Sequence, residues 1–323
     1  MTQTLIVDTD TASDDAVALI MALRAPEVRV VAITIVAGNV PLSQGSRNAR
    51  YTVELCGSEV PVYEGAARPL LREAYSATYF HGEDGLGDQG YPPPRTPAAP
   101  GHAATVLVNT IRAHPGLTLV TLGPLTNVAL ALLQAPDVAS LVGRCVVMGG
   151  AACTVGNVTP AAEYNIWCDP EAARICFRSG MAIEMVGWEL CRGAACLNEA
   201  DIARCRALDT PRAHFAVDCN ATALHANRRL FGENGIGLPD PTAMAVALDP
   251  TMAIRKSRHR VDVECEGTLT RGMTVVDELD VVRRGLGNAG GWPAEDAARE
   301  PNVTVCWELD VRRFKEMLFR SLA

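Results

Sequence analysis

The stretch Leu5-Ile6-Val7-Asp8-Thr9-Asp10-Thr11-Ala12-Ser13-Asp14-Asp15 constrains the fold more than any other in the chain. An apolar run of strand type stops at a carboxylate, and the helical pattern of Ala16, Val17, Leu19, Ile20 and Leu23 follows at once. A strand that feeds straight into a helix must return as a parallel strand if the unit repeats. It does repeat. Val28 to Val36 is apolar and leads to a helical Leu42 to Cys56, with Gly57 suited to end it. Val60 to Tyr63, Leu117 to Leu122, Val146 to Met148 and Ala182 to Val186 read as further strands. Helical patterns cover Ala103 to Ala113, a segment opened by Thr126 and Asn127, Glu199 to Leu208, Arg212 to Phe231 and Thr242 to Leu248. The alternation predicts an α/β fold, a doubly wound, mostly parallel open sheet with helices on both faces. Past residue 253 come a few extra strands, Arg260 to Cys265, Met273 to Val276 and Val303 to Trp307, and a closing helix Val311 to Leu322. Arg255 to Arg260, the densest basic run, reads as a solvated connection. With no repeat and no linker, residues 1–323 are expected to form a single domain.

Four acids, Asp8, Asp10, Asp14 and Asp15, crowd the first strand-to-helix turn, where an open parallel sheet places its ligands. Clustered carboxylates repel one another unless a cation lies among them, which points to a hard, oxygen-liking metal. Helix capping and dipole effects account for Ser13, Asp14 and Asp15 but leave Asp8 and Asp10 unexplained. Other polar residues also gather just past strand ends: Asn39, then Thr126 and Asn127 after Gly123-Pro124, then Asn157, Glu163 and Asn165 after Gly149-Gly150. Such hydrogen-bonders outside regular structure suit a polyol. Asp169, followed by Pro170, has the pattern of a structural N-cap, and Asp240 before Pro241 admits the same reading. His81 lies in the irregular stretch from Ala66 to Gly101, as an exposed loop histidine or as part of a mobile lid.

Composition removes several classes of function. With 29 basic and 37 acidic residues the net charge is -8, which argues against nucleic acid as a partner. No apolar run approaches the ~20 residues of a membrane helix. Met1 to Thr4 carries no basic, cleavable leader, so a cytoplasmic location is expected. The 11 cysteines are odd in number and show no C-x-x-C spacing, so they are expected to be reduced and mostly packed.

Taken together, Asp8-Thr9-Asp10 with Asp14-Asp15, Ala37-Gly38-Asn39-Val40, His81-Gly82, Gly123-Pro124-Leu125-Thr126-Asn127, Met148-Gly149-Gly150 and Asp240-Pro241 resemble the nucleoside hydrolase family. The likeness continues through Gly156 to Asn165 and Asp169 to Ala172. It implies a hydrolase acting on N-glycosyl compounds, which splits ribonucleosides into base and ribose in purine and pyrimidine salvage, with Ca2+ at the base of a pocket. By the same resemblance Asp10, Asp15 and Asp240 are side-chain metal ligands and Thr126 gives its backbone carbonyl. Asp10 also takes the proton of the metal-bound water, and the transition state is oxocarbenium-like. Asp14, Asn165 and Asp240 hold the ribose 2′- and 3′-hydroxyls, Asn157 and Glu163 the 5′-hydroxyl, and Asn39 faces the ribose. His81 lines the base side, Asp8 supports the acids, and a homodimer or homotetramer is implied.

One departure stands out. The inosine- and uridine-preferring branch has a histidine directly before the last aspartate, to protonate the leaving base; here that residue is Pro239. The tryptophan of purine-preferring relatives is missing as well. His225 and His81 are the candidate proton donors, and Tyr164, Trp188 and Arg228 the candidates for shaping the base pocket. Two other readings compete. A haloacid dehalogenase-type magnesium phosphatase also has an apolar strand followed by D-x-D, but Ala12 stands where that loop wants Thr or Val. A catalytically silent calcium- or nucleoside-binding protein is the other, and it predicts binding without turnover.

Overall fold

The structure is a computed structural model that describes residues 2–281, 284 and 300–323. Its main sheet has eight strands in the order β3-β2-β1-β4-β5-β6-β10-β7. These are β1 (Gln3–Thr9), β2 (Val28–Ile35), β3 (Val62–Glu64), β4 (Thr118–Thr121), β5 (Arg144–Met148), β6 (Ile183–Val186), β7 (Ala253–His259) and β10 (Val303–Leu309). Only the edge strand β7 is antiparallel to its neighbour. The small pair β8 (Val261–Val263) and β9 (Thr274–Val276) stands apart as an antiparallel ribbon.

From β1 the chain winds first to β2 and β3, then crosses to β4, β5 and β6. The switch point therefore lies between β1 and β4, whose register pairs Asp8 with Thr121. Outside the carboxyl ends of these two strands a crevice must open, because the connections leave in opposite directions.

Period-two alternation sends apolar side chains into two cores. Leu5, Val7, Val120, Val146 and Met148 join one, and Ile6, Leu119, Cys145 and Val147 the other. The first core is covered by α1 (Ser13–Arg24), α9 (Pro211–Asp218), α11 (Pro239–Leu248) and α12 (Val311–Leu322), the second by α4 (Ala103–Ala113), α5 (Thr126–Gln134) and α7 (Pro170–Phe177). Helix α1 is buried from Ser13 to Ala22. A helix enclosed on all sides holds its first turn rigidly, and that turn carries the acids.

Four expectations change. The segment Arg212 to Phe231 is two helices, α9 and α10 (Ala221–Phe231). Between them Asn220 is fully buried, and its amide donates to Ala216 O at 2.9 Å and reaches Ser13 O at 3.4 Å. Arg255 to Arg258 is not a loose connection but part of β7, whose middle five residues are exposed. Basic side chains on an edge strand discourage pairing with another sheet. Helix α11 starts at Pro239, so Asp240 sits inside its first turn and is not its cap. The irregular stretch from 66 to 101 contains one short helix, α3 (Thr78–His81). Among the described residues the other α-helices are α2 (Leu42–Leu55), α6 (Tyr164–Cys168) and α8 (Glu199–Ala207).

Candidate active site

The crevice at the switch point is a cavity of about 810 Å³ counted out to its open mouth. Its floor is made of carboxylates. Single oxygens of Asp14, Asp15 and Asp240 lie within 4.8 Å of one another. Asp10, just past β1, adjoins this trio through Asp15 and is fully buried. One Asp10 oxygen accepts from Asn39 N–H at 2.5 Å, while Oδ1 has no hydrogen-bond partner among the described residues. Glycine is required on both sides of this carboxylate: a Cβ on Gly123 would lie 2.8 Å from Oδ1, and one on Gly38 would fall on Oδ2.

Asp15 is fixed by Thr9 Oγ1 at 2.5 Å and by Ala12 N–H at 2.9 Å, so it closes the start of α1 from within. Asp8, one layer below, accepts from Thr34 Oγ1 at 2.5 Å and Asn127 Nδ2 at 2.9 Å. Burial pushes Asp8 up to about 7, above the usual carboxylate range. Burial likewise raises Asp14 to about 6. Asp10 and Asp240 are pushed well up, first by burial and then by the neighbouring aspartates. A group of acids held this way without a cation is electrostatically costly. The buried oxygens Asp10 Oδ1 and Asp14 Oδ1, which no protein donor satisfies, fit a hard cation coordinated by oxygen. Thr126 is buried at the first position of α5, and its hydroxyl donates to Asp169 at 2.7 Å. Asp169 also caps α7 through Ala172 N–H, as its sequence pattern predicts.

Above the floor the walls are polar. Asn39, Asn157, Glu163 and Asn165 all line the cavity. Asn165 donates to Leu122 O at 2.9 Å, which ties it to the end of β4. Glu163 caps α6, accepting from Asn165 N–H at 2.8 Å and from Gly150 N–H at 2.9 Å. Burial outweighs these bonds and raises its carboxyl to about 7. Asn157 accepts from Tyr164 N–H at 2.9 Å, and Tyr164 itself lines the cavity.

The mouth is aromatic. Phe231 packs 5.7 Å from Trp188 and 6.4 Å from Phe80, ring centre to ring centre. His81 is buried, with its ring 4.9 Å from Phe80. Burial lowers its pKa to about 4, so the ring is neutral at ordinary pH. Arg192 lies over the Trp188 ring at 4.5 Å and pairs with Glu233 at 2.9 Å.

Nine of the sequence-predicted residues thus meet on the cavity wall, Asp14, Asn39, His81, Asn157, Glu163, Tyr164, Asn165, Trp188 and Asp240, together with Pro239, which stands where the family's histidine was expected. Asp10, Asp15 and Thr126 lie in the buried layer around it. Two do not belong. His225 is exposed on α10 and does not line the cavity, and Arg228 is exposed and bonded to Asn234. Helical spacing explains the correction, because the face of α10 that lines the cavity carries Asn227, Leu230 and Phe231. Sequence reasoning missed Phe80, Arg192, Phe231 and Glu233. Adjacency of Phe80 to His81 was the one local signal; the others come from distant segments. Ser13 also differs from its expected capping role, since it is the first helical residue and its hydroxyl meets His81.

Residues 5–316 match the family described as inosine-uridine preferring nucleoside hydrolase. The pyrimidine-specific ribonucleoside hydrolase RihA of Salmonella gallinarum is 37% identical over 322 residues, which is 98% of this chain and 97% of its own length. Among solved structures, the plant nucleoside hydrolase PpNRh1 superposes with a TM-score of 0.92 at 31% identity, covering 100% of this chain and 99% of that one. A purine-preferring ribonucleoside hydrolase from Gardnerella vaginalis gives 0.87 at 32% identity, with 99% and 98% covered.

Proposed function

From the premise that this chain belongs to the inosine-uridine preferring nucleoside hydrolase family and is a hydrolase of N-glycosyl compounds, we propose that it cleaves ribonucleosides at this cavity with calcium on the carboxylate floor. The observation that carries the proposal is the buried trio Asp14, Asp15 and Asp240, with unsatisfied Asp10 and Asp14 oxygens, directly under a polar belt and an aromatic mouth. Asp10, Asp15, Asp240 and the Thr126 carbonyl would hold the ion, and Asp14 is close enough to share in it. When bound, calcium would offset the carboxylate charge and make a water more acidic.

The chain's own groups do the rest. Asp10 takes the proton of the attacking water, since its second oxygen is held by Asn39 N–H and its first is uncommitted. Asp14, Asp240 and Asn165 hold the 2′- and 3′-hydroxyls, and Asn157 and Glu163 the 5′-hydroxyl, with Asn39 beside the ring. The negative floor then faces the positive charge that develops on the sugar in an oxocarbenium-like transition state. The base occupies the aromatic mouth among Phe80, His81, Tyr164, Trp188 and Phe231. A homodimer or homotetramer belongs to the same reading, and sedimentation tests it.

The decisive experiment is a ribonucleoside panel with free ribose and free base both measured, before and after exhaustive chelation and with calcium restored. Equimolar ribose and base, lost on chelation and recovered with calcium, is the expected result. Phosphate release from nucleotides without ribose release would favour the phosphatase reading, and binding without turnover the silent binder.

A further inference from the structure

Ser13 and His81 meet at the boundary between floor and mouth. Ser13 Oγ lies 2.8 Å from His81 Nδ1, and both residues are buried. That contact is the only hydrogen bond of the Ser13 hydroxyl among the described residues. A hydroxyl carries one proton, and a buried one needs an acceptor. If Nδ1 held the ring proton and donated to Oγ, the hydroxyl proton would be left without an acceptor. Asp14 Oδ1 does not rescue that arrangement: it lies 3.7 Å from Nδ1 and has no hydrogen-bond partner among the described residues. The satisfied arrangement has Oγ–H donating to Nδ1, and in a neutral imidazole the proton then sits on Nε2. Ser13 is held in place by the rigid start of α1 and by Asn220, whose amide reaches its carbonyl at 3.4 Å. His81 is held by Phe80 and by its backbone, with N–H to Ala77 O at 3.1 Å. Its Nε2 has no protein partner among the described residues, and the residue lines the cavity.

We propose that Ser13 is a positioning residue that locks His81 in the tautomer with its proton on Nε2, so that the ring presents a hydrogen-bond donor to the departing base. This rests on the nucleoside hydrolase reading of the cavity. When the C1′–N bond breaks, its electron pair goes to the base; the water oxygen bonds C1′ and its proton goes to Asp10. The Nε2–H bond stabilises the charge on the base without giving up its proton, and the base takes a proton from solvent after leaving. Such a donor supplies what Pro239, first residue of α11, has no side-chain group to supply.

Two readouts test this. Nitrogen-15 NMR of the imidazoles should show a protonated Nε2 and an unprotonated Nδ1 for His81 in the wild type and in Ser13→Thr, and a mixture or the reverse in Ser13→Ala. A wild-type His81 protonated at Nδ1 would overturn the assignment whatever the substrate. In turnover, the ratio of kcat/KM on uridine or inosine to that on p-nitrophenyl riboside, whose phenolate leaves without help, should fall on the order of tenfold to a hundredfold in Ser13→Ala and be kept in Ser13→Thr. Equal losses on both substrates would mean a merely structural role and sink the proposal. If the wild type cleaves no riboside at all, the function proposed above fails, while the NMR result still decides the tautomer.

Discussion

At the floor of the cavity Asp10, Asp14, Asp15 and Asp240 crowd together with little protein to neutralise them, whereas at its mouth Trp188, Phe231 and Phe80 pack together and Arg192, paired with Glu233, lies over the Trp188 ring. The floor is rigid because strand ends and a fully enclosed helix carry it, and its crowded carboxylates are electrostatically unfavourable without a neutralising partner. The mouth is satisfied as it stands. On the proposed function, the uncompensated charge is thus concentrated where the sugar would react, and selectivity for the base would fall to the aromatic contacts, the His81 donor and the Arg192–Glu233 pair.

Breaking the floor should cost most. Asp10→Asn should keep the fold and lower kcat by about 10²–10⁴-fold or more, as removal of a general base does; comparable turnover in mutant and wild type would remove Asp10 from its role. Gly38→Ala comes next, because its methyl would displace the Asp10 carboxylate. It should lower calcium affinity and turnover together, measured by calorimetry and kinetics; unchanged values for both would show that the strand end is softer than its packing indicates.

The middle belt offers a test by pH. Burial raises the Glu163 carboxyl from 4.5 to about 7, so the folded state binds this proton more tightly than the unfolded chain. Its contribution to stability is full below the unfolded value and is lost as pH rises through about 7. In Glu163→Gln the thermal midpoint of the metal-free protein should fall less steeply across that window than in the wild type. Parallel slopes would contradict the assignment.

At the mouth, Arg192→Leu should alter kcat/KM for oxygen-rich and amino-substituted bases unequally, by about tenfold at most, because a half-buried ion pair still screened by solvent is worth little. An identical effect on all bases would place Arg192 outside base selection. The smallest effect is expected for His225→Ala, which should leave turnover on every nucleoside near the wild-type value, since the residue is exposed away from the cavity. A selective loss on one base class would reverse that placement.

Legibility follows the same division. Asp8, Asp10, Asp14 and Asp15 are neighbours in sequence, and the apolar run before them marks a strand end, so their convergence was readable without coordinates. Asn39, Thr126 and Asn165 were readable for the same reason, each standing just past or between strand ends. Arg192, Phe231 and Glu233 were not, because no local pattern links a turn after β6 to the end of α10. His225 was placed as a donor only because a histidine was missing at Pro239, and which face of α10 meets the cavity was not legible from its own sequence.

Strand alternation, the carboxylate cluster and the glycines beside it are determined by the sequence itself: periodicity and repulsion between near neighbours act over a few residues. Which oxygens stay unsatisfied, which helix face meets the cavity, and that Ser13 turns from a cap into the partner of His81 were decided only by the tertiary structure. These depend on burial and on the supply of donors and acceptors from distant segments, and both quantities exist only once the chain has closed around them.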